Sequence, residues 1–162
     1  MLTAPRWVVV GCTFWAVACG GAKTDVQTRS GNVAFSGTTA YFFTTQAATQ
    51  DTFHLEVHSS AEGCGPWPGV VPPDHAIVSV TIGRPPSTSI KPESYPIANT
   101  LGFEGAWVTY FHENPAGDLL LSGVSGVFDL KALSDTAAAG SLDVTLQDGT
   151  RIEGVFSAGP CP

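Results

Sequence analysis

The sequence predicts an all-β domain, a mainly antiparallel β-sandwich or open β-barrel of about seven to nine strands with one disulfide. Three observations lead there. Apolar and polar residues alternate at period two in several separate runs, the spacing that sends successive side chains to opposite faces of a sheet. The spacing of an amphipathic helix is missing outside the N-terminal stretch. Proline clusters and an Asp148-Gly149 pair punctuate the runs, as turns between strands require. The chain is 43% apolar and 13% charged, so it lacks the low hydrophobicity and high charge of disordered chains. Its 162 residues suit one domain after an N-terminal segment is set aside.

The elements follow in order. Asn32 to Thr45 is rich in Thr, Phe and Tyr and predicts strand, with Gly37 as a bulge or break. In Thr52 to Ser59, Phe53, Leu55 and Val57 point one way and His54, Glu56 and His58 the other. Ala76 to Gly83 repeats the pattern, with Val78, Val80 and Ile82 inward. Gly105 to His112 is aromatic and β-branched throughout, which leaves its inward face open. Asp118 to Leu130 reads as a long strand in which Gly123 and Gly126 mark a bulge or the close approach of another backbone. Leu142, Val144 and Leu146 alternate with polar residues. Thr150 to Ser157 then follows, with Ile152 and Phe156 on one face. Asp148-Gly149 between these two runs predicts a hairpin with a type I′ turn, which needs positive φ at both central positions. Gly126-Val127-Phe128-Asp129 is echoed by Gly154-Val155-Phe156-Ser157. The echo suggests equivalent places in a sheet but is too short for a repeat. The proline-rich stretches Gly63 to Asp74 and Arg84 to Pro96 read as loops.

The first 18 residues have the three parts of a signal peptide. Arg6 sits in a short basic start, Trp7 to Ala18 is apolar, and Ala16 and Ala18 mark a cleavage site. The apolar run falls short of the about 20 residues that span a bilayer. Ala16-Val17-Ala18-Cys19 resembles the lipobox of bacterial lipoprotein precursors, although that family usually has Leu where Ala16 stands. The resemblance implies that Cys19 is lipidated, carries diacylglycerol and acyl groups, and becomes the first mature residue. Two such acyl chains hold a protein stably to a membrane. Gly20 in place of Asp resembles lipoproteins sent to the outer membrane. Gly20 to Gly31 is polar and non-periodic, so residues 19–31 read as the lipidated cysteine and a flexible tether. The single all-β domain is expected over 32–162.

Cysteine arithmetic runs alongside. Cys12 lies in the apolar run and would be discarded, leaving Cys19, Cys64 and Cys161. An odd number in an exported chain needs an explanation, and lipidation of Cys19 leaves an even pair. Cys64 and Cys161 then form the expected disulfide. It would close a loop of about 100 residues worth about 4.7 kcal/mol in the chain-entropy model. Glu93-Ser94-Tyr95-Pro96-Ile97, the aromatic run Gly105 to Phe111, the two Gly-Val-Phe segments and terminal Cys161 also resemble a pattern in uncharacterised bacterial lipoproteins. That resemblance covers roughly residues 76 to 162. It implies an all-β exported domain and carries no catalytic residues.

Chemistry is sparse. Removing residues 1–18 takes away one cation, Arg6, and moves the formal charge from −7 to −8. Lys23, Arg29, Arg84, Lys91, Lys131 and Arg151 are scattered, which argues against nucleic acid. His54, Glu56 and His58 share one face of a strand, and two imidazoles with a carboxylate are a ligand set for zinc or non-haem iron. Steps of roughly 7 Å spread them too far for one ion, so His75 or His112 would have to join. The solvent face of a half-buried strand is the simpler reading, and no metal or other cofactor is expected. Gly123-Val124-Ser125-Gly126-Val127 is out of frame for a nucleophile elbow, and no glycine-rich loop opens a helix to cradle phosphate. Trp67, in Gly65-Pro66-Trp67-Pro68-Gly69, reads first as a cover on the core and second as a recognition tip for a glycan or protein. Tyr41, Phe42, Phe43, Trp107, Tyr110 and Phe111 read as core and cross-strand pairs. The sequence therefore predicts a non-catalytic, lipid-anchored envelope protein with a structural or binding role. The alternatives are a small apolar ligand carrier with a cavity inside a barrel, or a soluble secreted protein.

Overall fold

A computed structural model describes residues 23–60, 74–98 and 105–161. Ten strands cover most of them: β1 (Asp25–Ser30), β2 (Ser36–Gly37), β3 (Thr39–Gln46), β4 (Asp51–His58), β5 (Ala76–Arg84), β6 (Ser94–Ala98), β7 (Ala106–His112), β8 (Leu119–Leu133), β9 (Ala138–Leu146) and β10 (Arg151–Pro160). Among the described residues no helix is long and apolar enough to cross a membrane.

The all-β prediction holds, but the architecture is corrected. The expected sandwich or open barrel is replaced by a single ten-stranded mixed sheet, ordered β2-β1-β10-β3-β4-β5-β7-β6-β8-β9, with further pairings β10–β9 and β7–β8. The pairings β10–β3 and β6–β7 are parallel. The physical reason lies in two long strands that each serve two sets of neighbours. β8 ladders with β7 through Leu119–Ser122 and with β9 from Gly123 onward. β10 pairs with β9 and β1 along its first part, then with β3 through Gly159 and Pro160. Continuous strands of this kind keep the sheet from dividing into two layers joined only by loops.

The expected Cys64–Cys161 bridge is not found among the described residues. No disulfide joins two described residues, because Cys64 lies outside them. Cys161, the one described cysteine, is not a free thiol. Backbone pairing also fixes the end of the chain. β10 lies parallel to β3, and the Cys161 N–H donates to the Phe42 carbonyl at 2.8 Å.

Inward side chains meet in one core. Phe53, Leu55 and Val57 of β4, Val78, Val80 and Ile82 of β5, and Val108 and Tyr110 of β7 are all fully buried. The alternation read in β4 and β5 is therefore real, and the ambiguity of β7 resolves with Trp107, Thr109 and Phe111 facing out. Phe128 and Phe156 stack at 5.3 Å with planes 9° apart. They belong to the two echoed segments, which flank β9 from opposite sides: Gly126 pairs with Val144 and Gly154 with Leu142. Each glycine has positive φ, and a Cβ there would collide with a neighbouring carbonyl, that of Asp143 or Asp25. The echo thus marks two equivalent close approaches, each followed by an exposed Val and a buried Phe.

Three local expectations change. Asp25–Ser30 is strand β1 on β10 with Val26 fully buried, so the tether does not extend over these residues. Ser94–Ala98 is strand β6, read before as loop up to Pro96. The predicted hairpin forms between β9 and β10, but only Gly149 of its turn has positive φ. The Gly149 N–H donates to Leu146 O at 2.9 Å and the Leu146 N–H to Thr150 O at 2.8 Å. These bonds describe a three-residue loop with a left-handed glycine, not a type I′ turn.

Candidate functional site

Register places the outward side chains of β4, β5, β7 and β8 in three rows across the strands. One row is His54, Thr81 and Trp107. The next is Glu56, Ser79, Thr109 and Ser122. The third is His58, Ile77, Phe111 and Leu120. Short hydroxyl side chains fill most of the middle row, while bulky ones stand on both sides. The result is a trough of about 320 Å³ running across the sheet, lined by residues of all three rows. Trp107 and Phe111 are half-buried and Leu120 is 62% exposed. These aromatics were expected in the core or in cross-strand pairs. Alternation sends Trp107 and Phe111 outward and not into the core, because Val108 and Tyr110 take the inward positions, while Phe111 stands in register with Ile77 and Leu120 on the neighbouring strands.

At one side of the trough a hydrogen-bonded relay begins. Thr81 Oγ1 lies 2.8 Å from His54 Nδ1, and His54 Nε2 lies 3.2 Å from Glu56 Oε1. Glu56 Oε2 is 3.1 Å from His58 Nε2, and His58 Nδ1 is 3.0 Å from His75 Nε2. His75 Nδ1 is 2.8 Å from Ser60 Oγ. Glu56, His58 and His75 are buried. Aromatic rings of β3 pack against the relay, with Phe43 4.7 Å from His54 and Tyr41 5.7 Å from His58 between ring centres.

Electrostatics fix the middle of this chain. Burial pushes the Glu56 carboxyl up, but the hydrogen bonds and charges of His54 and His58 outweigh it and bring the value down to about 2. Glu56 is therefore an anion under ordinary conditions and only accepts hydrogen bonds. Both flanking imidazoles must donate to it from Nε2.

The sequence brought His54, Glu56 and His58 to one face, and the structure agrees. Side chains lean along their strand, so the carboxylate reaches both rings despite the spacing of the backbone. Among the described residues no group of three or more His, Cys, Asp or Glu is disposed to hold a metal ion. The nitrogens that would ligate are turned to the carboxylate instead. His75 joins by bonding His58, while His112, at the end of β7, has no hydrogen bond to any member of the relay. Ser60, Thr81 and the rows of the trough were missed. Their only signal is the strand register, which a single sequence does not show. Cys19, Cys64 and Trp67 lie outside the described residues. A wider hollow of about 680 Å³ opens between the end of β10 and the β3–β4 turn, lined by residues including Phe42, Gln46, Ile90, Leu133 and Pro160. It contains no comparable cluster of interacting polar groups. No family model, curated protein or solved structure matches the chain.

Proposed function

We propose that the chain is an exported domain that binds a small, flat, largely apolar ligand in the trough across β4, β5, β7 and β8. One observation carries this reading: a row of short hydroxyl side chains, Ser79, Thr109 and Ser122, lies between two bulky rows that include Trp107, Phe111 and Leu120. An apolar wall with a few polar groups to fix orientation is the usual make-up of small-molecule sites, and about 320 Å³ lies at the lower end of their range. A ring laid on Trp107 would bury apolar surface while its edge met the hydroxyls. The carrier alternative thus moves from the inside of the fold to its outer face, since the inward side chains form one packed cluster.

The test uses the neutral fluorophore N-phenyl-1-naphthylamine. Its emission should rise on the wild-type domain and saturate. Thr109→Phe projects a ring into the trough from an outward, half-buried position and should weaken binding at least tenfold without changing the fold. Equal affinity in the two proteins would remove the trough as the site. Export rests on the N-terminal sequence. Whether Cys19 is the first mature residue, and whether it carries acyl groups, is read from the intact mass of protein taken from its own host.

A further inference from the structure

We infer that Ser60 is an activated nucleophile whose base is His75, held in register by His58 and Glu56, and that it takes the acyl group of a carboxylic ester. The inference goes beyond ligand binding in the trough and does not depend on it.

The direction of every hydrogen bond leads to it. Glu56 accepts from His58 Nε2 at 3.1 Å, and in its Nε2–H tautomer His58 offers a lone pair at Nδ1. His75 must donate to that lone pair from Nε2 at 3.0 Å, which leaves a lone pair on its own Nδ1. Ser60 Oγ stands 2.8 Å from it, and only the hydroxyl has a proton to give. With His58 and His75 each carrying one proton, on Nε2, every link runs from Ser60 toward the carboxylate. A proton taken from Ser60 by His75 does not strand a charge. Transfer of the Nε2 proton to His58 places the cation directly against Glu56. This is the hydroxyl, imidazole and carboxylate arrangement of nucleophilic catalysis, lengthened by one imidazole.

Burial strengthens the case. Glu56, His58 and His75 are almost out of water, where polar groups cost stability even when paired. Such clusters recur at functional sites. Thr81 ends the other arm through His54, but it is a hindered secondary alcohol in the middle of β5. Ser60 is a primary alcohol, half-buried, two residues beyond the end of β4. In the proposed step Ser60 Oγ bonds to the acyl carbon, and its proton goes to His75 Nδ1. The C–O bond to the alcohol breaks, and His75 returns the proton to the departing alkoxide. Water then releases the acid by the same route.

A fluorophosphonate probe tests the nucleophile on the intact mature chain. Its reaction forms an Oγ–P bond and breaks P–F, with fluoride leaving and the proton passing to His75. Peptide mapping should find one adduct, on Ser60, which disappears in Ser60→Ala. His75→Gln should react at least a hundredfold more slowly and lose the titration seen in the wild-type rate against pH. Val155→Ala, at an exposed position of β10 outside both the relay and the trough, should react at the wild-type rate. If His75→Gln does not fold, the wild-type profile decides, because an activated serine follows a single titration and an unactivated one follows hydroxide. No adduct on a natively folded chain, an adduct on Thr81 or elsewhere, or an undiminished rate in a folded His75→Gln would each overturn the proposal.

Discussion

Glu56 provides the sharpest test of the relay's electrostatics. Its carboxyl titrates near 2 in the fold against an ordinary value of 4.5. At about 1.36 kcal/mol for each pH unit between those values, the ionised form contributes about 3 kcal/mol. Solvent reaching His54, whose side chain is 21% exposed, trims this to about 2–3 kcal/mol. The sign follows from the depressed value. The contribution is complete above the unfolded chain's 4.5 and is lost as pH falls from there toward 2. Glu56→Gln removes it at every pH and turns an amide N–H₂ toward an imidazole N–H, leaving a donor facing a donor. The measurement is urea unfolding of both proteins from pH 7 down to pH 2. The wild type should lead by about 2–3 kcal/mol at neutral pH, and the lead should shrink through the window from 4.5 to 2. Every other carboxyl titrates in both proteins and cancels in the difference. A lead that stays constant down to pH 2 would refute the assignment of a low-lying Glu56.

Two more predictions concern the sheet. Phe128→Ala empties a fully buried position that stacks on Phe156 and contacts Phe53 and Tyr95, and should cost about 3–5 kcal/mol in urea unfolding. Gly126 and Gly117 both have φ of 127°, but a Cβ at Gly117 meets nothing within 4 Å while one at Gly126 strikes the Asp143 backbone. Gly117→Ala should therefore cost about 1–2 kcal/mol, for the backbone conformation alone. Gly126→Ala should cost at least about 2 kcal/mol more. Equal costs would mean that the β8–β9 approach is looser than described.

How much was legible in the sequence depended on whether a feature is local. β4 and β5 were readable because strict alternation puts Phe53, Leu55, Val57, Val78, Val80 and Ile82 on one face. Gly126 was readable as a bulge or close approach because a glycine inside a strand run has no side chain to pack, whereas Gly154 was marked only by its echo of that segment. β1 was not, since a short strand with Val26 as its one core residue looks like a polar linker. The turn at Asp148-Gly149 was placed correctly but given the wrong type. Asp148 uses its carboxylate to accept from the Thr150 N–H and hydroxyl, each at 2.9 Å, which fits a longer loop. The sandwich or barrel failed because nothing local says that β8 and β10 run on through two sets of partners. The site was half legible. His54, Glu56 and His58 were singled out for the right geometry and the wrong chemistry, because their mutual bonds depend on how side chains lean. His75 joins His58 across 17 residues of sequence, and Ser60 joins His75 across 15. The rows of the trough exist only once the strands are in register.

The most direct test of the binding account is a titration of the ¹⁵N-labelled chain with N-phenyl-1-naphthylamine, followed by the indole and backbone resonances. The account predicts that the Trp107 indole and the amides of Ser79, Thr109 and Ser122 shift together and saturate. Shifts confined to the hollow around Leu133 and Pro160, with Trp107 unmoved, would contradict it.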